Sequence, residues 1–169
     1  MPTPAEGFVT VSFEIKYDES CSFVNPALTE AYAYWKGQCR GNTSMPTRGD
    51  VHPKGMRPFI KHVSIVDVRT DERGGFSYFV RLAGSEVERV LGRRSGKMLL
   101  DGVPEDQVPR WQTPFDRVRE SGRPLRGFGR LMFQGKIWLN NENLWAPLGD
   151  NGKVTGMFCA FAATTANDV

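Results

Sequence analysis

The chain is poor in the residues that most often carry chemistry. Its 169 residues include two histidines, His52 and His62, and three cysteines, Cys21, Cys39 and Cys159. The cysteines are odd in number and far apart, so reduced thiols acting as small buried hydrophobes are expected, not a disulfide framework. No cysteine or carboxylate stands at ligand spacing from either histidine, which leaves no zinc or iron site. No apolar run reaches the length of a transmembrane helix, and no membrane association is expected. The start, Met1-Pro2-Thr3-Pro4-Ala5-Glu6, has neither a basic stretch nor an apolar one, so no secretory signal is expected and a cytoplasmic location is. The net charge of +3 is mild, and nucleic acid is not an expected partner. Ser85 sits in Gly84-Ser85-Glu86 rather than in a nucleophile elbow, and no Gly-rich loop fits a phosphate. Without a nucleophile, a base and an orienting acid in one pattern, no enzyme is expected.

Hydrophobic residues at 40% and charged residues at 24% are ordinary for a globular protein with one core. Residues 8–17 alternate, with Val9, Val11, Phe13, Ile15 and Tyr17 on one face, and predict a half-buried strand. Asn25-Pro26 opens a helix over 27–36, with Leu28, Ala31, Tyr32 and Trp35 on one side and Gly37 at its end. Residues 38–53 read as a long loop, and 56–60 as one helical turn. Strands are predicted at 62–69 and 76–82, a short helix over 84–91 with Ser85 as its cap, and a longer helix over 105–120. Pro109 and Pro114 bend that helix or shift its start, and Gly122 ends it. Three more strands follow at 125–133, 137–148 and 154–162, joined by Gln134-Gly135-Lys136 and by Gly149-Asp150-Asn151-Gly152; Asn151-Gly152 is a strong hairpin signal. Residues 163–169 read as a frayed tail. Two strand groups flanking a helical middle predict an α+β fold with an antiparallel sheet.

Arg117, Arg119, Arg123, Arg126 and Arg130 are dense for 14 residues. On the strand from Leu125, Arg126, Phe128 and Arg130 share one face and Leu125, Gly127, Gly129 and Leu131 the other. The bland reading is a solvated face; the sharper one is a surface for a phosphate ligand such as a nucleotide, because guanidinium forks match phosphate oxygens. Gly127 and Gly129 remove side chains from one face, which leaves room for a bulky neighbour or for a ligand. Asp67 and Arg81 fall on adjacent strands and are placed to pair. Arg48-Gly49-Asp50 reads as a linker turn, with Arg48 and Asp50 holding the linker to the core.

One ordered series spans residues 28–92. Tyr34-Trp35 ends a helix, Met45-Pro46-Thr47-Arg48-Gly49-Asp50-Val51-His52-Pro53 forms a linker, and the second strand closes on Arg81-Leu82-Ala83-Gly84-Ser85, before Leu91-Gly92-Arg93. This series resembles the short stand-alone PAS-type proteins of alphaproteobacteria, over about residues 28–162. The resemblance implies a five-stranded antiparallel sheet in the order 2-1-5-4-3, helices on one face, and a pocket between sheet and helices. It implies a leading helix within a domain at 27–162, after an N-terminal extension at 1–26. It also implies a sensory or docking role, with output through association. The expected partners are a second copy, a signalling protein and possible small ligands in the pocket. Candidate ligand residues are Tyr78, Arg81, Trp111, Phe115, Arg126 and Arg130; candidate interface residues are Val11, Phe13, Ile15, Tyr32 and Trp35. No cofactor is expected. The long helix has no histidine to hold a haem. Cys39 precedes the first core strand, the wrong place for a flavin-reactive thiol, and the Asn and Gln residues that would read a flavin ring are not recognisable.

Overall fold

The computed structural model describes residues 15–41 and 43–165. In chain order these form strand β1 (Lys16–Asp18), helix α1 (Pro26–Gln38), β2 (Val63–Thr70), β3 (Phe76–Ala83), α2 (Ser85–Leu91), β4 (Lys97–Met98), α3 (Val108–Ser121), β5 (Leu125–Phe133), β6 (Ile137–Asp150) and β7 (Lys153–Thr165). One antiparallel sheet of seven strands runs β1-β5-β6-β7-β2-β3-β4. Its five long strands follow the expected order. The sheet has seven strands, not five: β1 overlaps the end of the strand expected at 8–17 and adds to the β5 edge, while β4, at two residues, is too short to show a period.

The hairpins form where turn chemistry dictates. Asn151 and Gly152 both have positive φ, 51° and 75°, the geometry that lets two residues join twisted strands. Asp150 pairs with Lys153 across them. β7 runs on to Thr165, so residues 163–165 belong to the sheet and not to a tail. In helix α3, Pro109 lies in the first turn, where a missing N–H costs nothing, Pro114 lies inside the helix, and Gly122 closes the end at φ 65°. Helix α2 is capped by Gly84, with Ser85 already helical. Gly84 is required for a different reason: a Cβ there would lie 2.3 Å from the Lys61 carbonyl oxygen.

Strand alternation divides the side chains between two faces. The front carries Ser64, Val66, Tyr78, Val80, Leu131, Asn141, Asn143, Trp145, Cys159 and Phe161, under α2 and α3. The back carries Ile65, Ala146 and Phe158, under α1 and the loop after it. α1 sits there because Leu28, Ala31 and Trp35 make one apolar stripe, all buried, and Trp35 Nε1 donates to the Pro147 carbonyl at 2.9 Å. Burying each such side chain is worth roughly 1.5–3 kcal/mol before entropy. Helices therefore cover both faces, α1 lying on the side that α2 and α3 leave open. The loop from 39 to 62 adds Met45, Val51, Met56 and Phe59 to the same core. Thr47 N donates to Asp50 at 2.9 Å, Asp50 pairs with Arg40 at 3.1 Å, and Arg48 donates to the Val51 carbonyl, so Arg48 and Asp50 brace the linker on itself.

Candidate functional site

Between the front face and the two helices lies a cavity of about 120 Å³. Its floor is β6 and β7, its roof α3, and one side α2. Most of the wall is apolar, with Val66, Val87, Trp111, Phe115, Leu131 and Phe161. Gly127 on β5 lies under two of its walls, Trp145 and Ile15. A Cβ there would come within 2.6 Å of the Trp145 ring and 3.0 Å of Ile15 Cγ2, so the space over this glycine is taken by those two side chains. The alternative left open by the sequence, bulky neighbour or ligand, resolves at Gly127 in favour of the neighbours.

Several polar groups interrupt the apolar wall. Asn141 and Asn143 stand two residues apart on β6 and both line the cavity. Asn141 Oδ1 and Asn143 Nδ2 are buried and have no hydrogen-bond partner among the described residues. Unpaired buried amides are costly, about 1–3 kcal/mol each, and sites that keep them are ready to bond a ligand or water. Cys159 also lines the cavity, and burial pushes its thiol far up, so it stays protonated. Arg94 is 8% exposed and lies 5.0 Å from the Trp111 ring centre. Its Nη1 donates to the carbonyls of Leu99 (3.3 Å) and Asp101 (3.2 Å). Burial lowers its pKa, against the opposing pull of Asp101 and Glu88. Among the described residues no group of three or more His, Cys, Asp or Glu side chains could hold a metal ion.

The six candidate ligand residues do not form one site. Trp111 and Phe115 line the cavity. Tyr78 lies beside it, packed on Phe115 at 5.1 Å, with its hydroxyl donating to Asp116 and accepting from Arg119 Nε at 3.1 Å. Burial and the Asp116 bond push the Tyr78 phenol up to about 12. Arg81 faces the back, three residues from Tyr78, where it pairs with Asp67 as the strand positions required. The Arg81 side chain is half exposed and bonds this neighbour, not the loop after β3. Arg126 and Arg130 also face the back and line an open cleft beside the start of α1. Arg126 is held there at 2.6 Å from Glu142 and 3.3 Å from Asp18, while Arg130 sits over the Trp138 ring at 5.2 Å.

Of the candidate interface residues, Val11 and Phe13 lie outside the described residues, as does most of the strand expected at 8–17. Ile15 lines the cavity. Tyr32 is half-buried and packs between Phe23 and Trp35, and Trp35 is 4% exposed. Trp35 is therefore packed inside its own chain. Asn141, Asn143 and Arg94 were missed by sequence reasoning. Alternation of Asn141, Asn143 and Trp145 was the available signal for the first two.

The sheet order, the helical middle under its front face and the cavity between them are those of a PAS-like fold. Residues 23–102 match the PAS domain family. That match takes in α1 to β4 and stops before α3. The solved structure titled an RNA-binding Light-Oxygen-Voltage receptor is similar over 92% of this chain and 40% of that one, at 16% identity and a TM-score of 0.48. The chain thus spans about two fifths of that protein. No curated protein matches this chain. No helix among the described residues is long and apolar enough to cross a membrane.

Proposed function

We propose that this chain is a non-enzymatic sensory module of the PAS type, acting in the cytoplasm through association with a second copy or a signalling partner. A small ligand in the front-face cavity gates that association. The observation that carries this reading is the cavity itself: apolar walls of about benzene-holding size, interrupted by two amides that each bury one atom without a partner among the described residues. An apolar pocket with a few placed polar groups is the usual form of a small-molecule site. A ligand there acts only by its differential affinity for two states of the module. The N-terminal segment is the contact through which output runs, with Val11, Phe13 and Ile15 on its apolar face.

Native mass spectrometry on freshly purified protein, set against the denatured mass, tests the ligand half. Extra mass that Asn143→Leu removes is the expected result. Sedimentation velocity of the whole chain and of a chain lacking residues 1–14 tests the association half. An unchanged profile after that deletion refutes the N-terminal contact.

A further inference from the structure

Two guanidinium groups, Arg94 and Arg110, line the cavity, and among the described residues no Asp or Glu side chain does. A buried cation is costly unless paired, and isolated charges inside proteins are compensated by a counter-charge or by hydrogen bonds. Among the described residues Arg94 has no carboxylate partner. Asp101 accepts from Met98 N at 3.1 Å, Glu88 accepts from Ser95 Oγ at 2.9 Å, and neither is within ion-pair distance of Arg94. Two backbone carbonyls satisfy Nη1, but the Nε–H is buried without an acceptor. Arginine cannot shed its proton to escape this cost. The cavity therefore has a positive wall at one place, apolar walls elsewhere, and an amide pair on β6.

We propose that the ligand is a small organic monoanion: a carboxylate carried on an apolar body of about benzene size, with Arg94 as its anchor. This rests on the receptor reading above and narrows its chemistry. The carboxylate supplies the acceptor that Arg94 Nε lacks. The apolar body meets Trp111, Phe115 and Phe161, and any donor or acceptor on it meets Asn141 Oδ1 or Asn143 Nδ2. The volume sets the upper size, since an apolar cavity of ~150 Å³ takes up benzene. A nucleotide or a flavin is far larger than this space.

The test uses benzoate, phenylacetate and hexanoate, each against its uncharged amide, by isothermal titration and thermal shift on the full chain at pH 7. At least one acid is expected to bind about 10-fold or more tightly than its amide, the usual worth of a charge-assisted hydrogen bond. Arg94→Gln is expected to remove that preference, the acid losing about 10-fold more affinity than its amide. The acid–amide comparison needs no variant, so it holds even if Arg94→Gln does not fold. Amides binding as well as their acids overturn the anion and leave the receptor reading standing. If neither acids nor amides bind, both fall together.

Discussion

Glu142 should be the costliest polar side chain to remove from the back face. Its carboxylate lies on β6 and is 7% exposed. It accepts from Val24 N at 3.0 Å, from Asn25 N at 2.8 Å and from Arg126 at 2.6 Å, so it ties the entry of α1 to the sheet. Replacing it by alanine strands Arg126, 11% exposed, and leaves the Asn25 amide without its acceptor. Breaking a buried ion pair by removing one partner costs about 3–5 kcal/mol. Arg126 keeps Asp18 at 3.3 Å, and the Val24 amide sits beside a side chain 79% exposed, where water can replace the lost bond. Those two facts place Glu142→Ala at the low end, about 3 kcal/mol, or roughly 6–12 °C in melting temperature for a domain of this size. Asp18→Ala should cost about 1 kcal/mol or less, because Asp18 is the more exposed and more distant partner. The assay is urea unfolding at pH 7 by far-UV circular dichroism, with Arg126→Met and the double variant completing a cycle. The double variant should lose clearly less than the sum of the singles. A Glu142→Ala loss under about 1 kcal/mol, or strict additivity, would refute the claim that this carboxylate anchors α1.

Gly127→Ala forces its new methyl against Trp145 and Ile15, so a loss of about 1–3 kcal/mol is expected, with a shifted tryptophan emission band; unchanged stability would mean the ring has room. Tyr78 should ionise at about 12, read at 295 nm. The fold holds the neutral phenol, so this contribution is full below the ordinary tyrosine range, near 10, and is lost as the pH rises toward about 12. Tyr78→Phe should accordingly cost about 1 kcal/mol at pH 7 and nothing above that range; a cost that persists at high pH would point to packing instead. Cys159 should resist alkylation at pH 8 until the protein unfolds, since burial keeps its thiol protonated, and mass mapping that finds it modified as fast as Cys39 would contradict its placement.

Much of the architecture could be read along the chain because strand alternation, turn residues and caps are local. The five long strands, the Asn151-Gly152 hairpin, the Gly122 stop and the Asp67–Arg81 pair all follow from spacings of a few residues. What could not be read is which face each strand turns inward. Tyr78 and Arg81 were grouped as one site, yet an odd separation on a strand puts them on opposite sides. Arg126 and Arg130, expected to share a surface for a phosphate ligand, do share the face opposite Gly127 and Leu131, away from Trp111. The sequence pattern held that information; the missing step was to ask which face the helices cover. Arg94 left no such trace. It sits between α2 and β4, where nothing is periodic, and its burial comes from packing against Trp111, 17 residues on.

Strand β6 joins the two halves of the functional reading. Asn141 and Asn143 turn toward the cavity, and Glu142 between them turns back to hold Val24 and Asn25. A ligand bonding the amides and an N-terminal segment held by the carboxylate would thus act on one stretch of backbone from opposite sides. Any influence of one on the other must be equal in both directions, because binding free energies are reciprocal. The cavity is small and its wall is close-packed, so a shift needed to admit a ligand has few places to go. β6 is bonded along its length by β5 and β7 and is stiff in the sheet plane. On the far side of β5, the edge strand β1 pairs with β5 over only three residues and directly follows the segment expected to mediate association. Of the sheet's contacts on that side, the short β1–β5 ladder is the weakest, and it is where a change at the cavity would first be felt outside it.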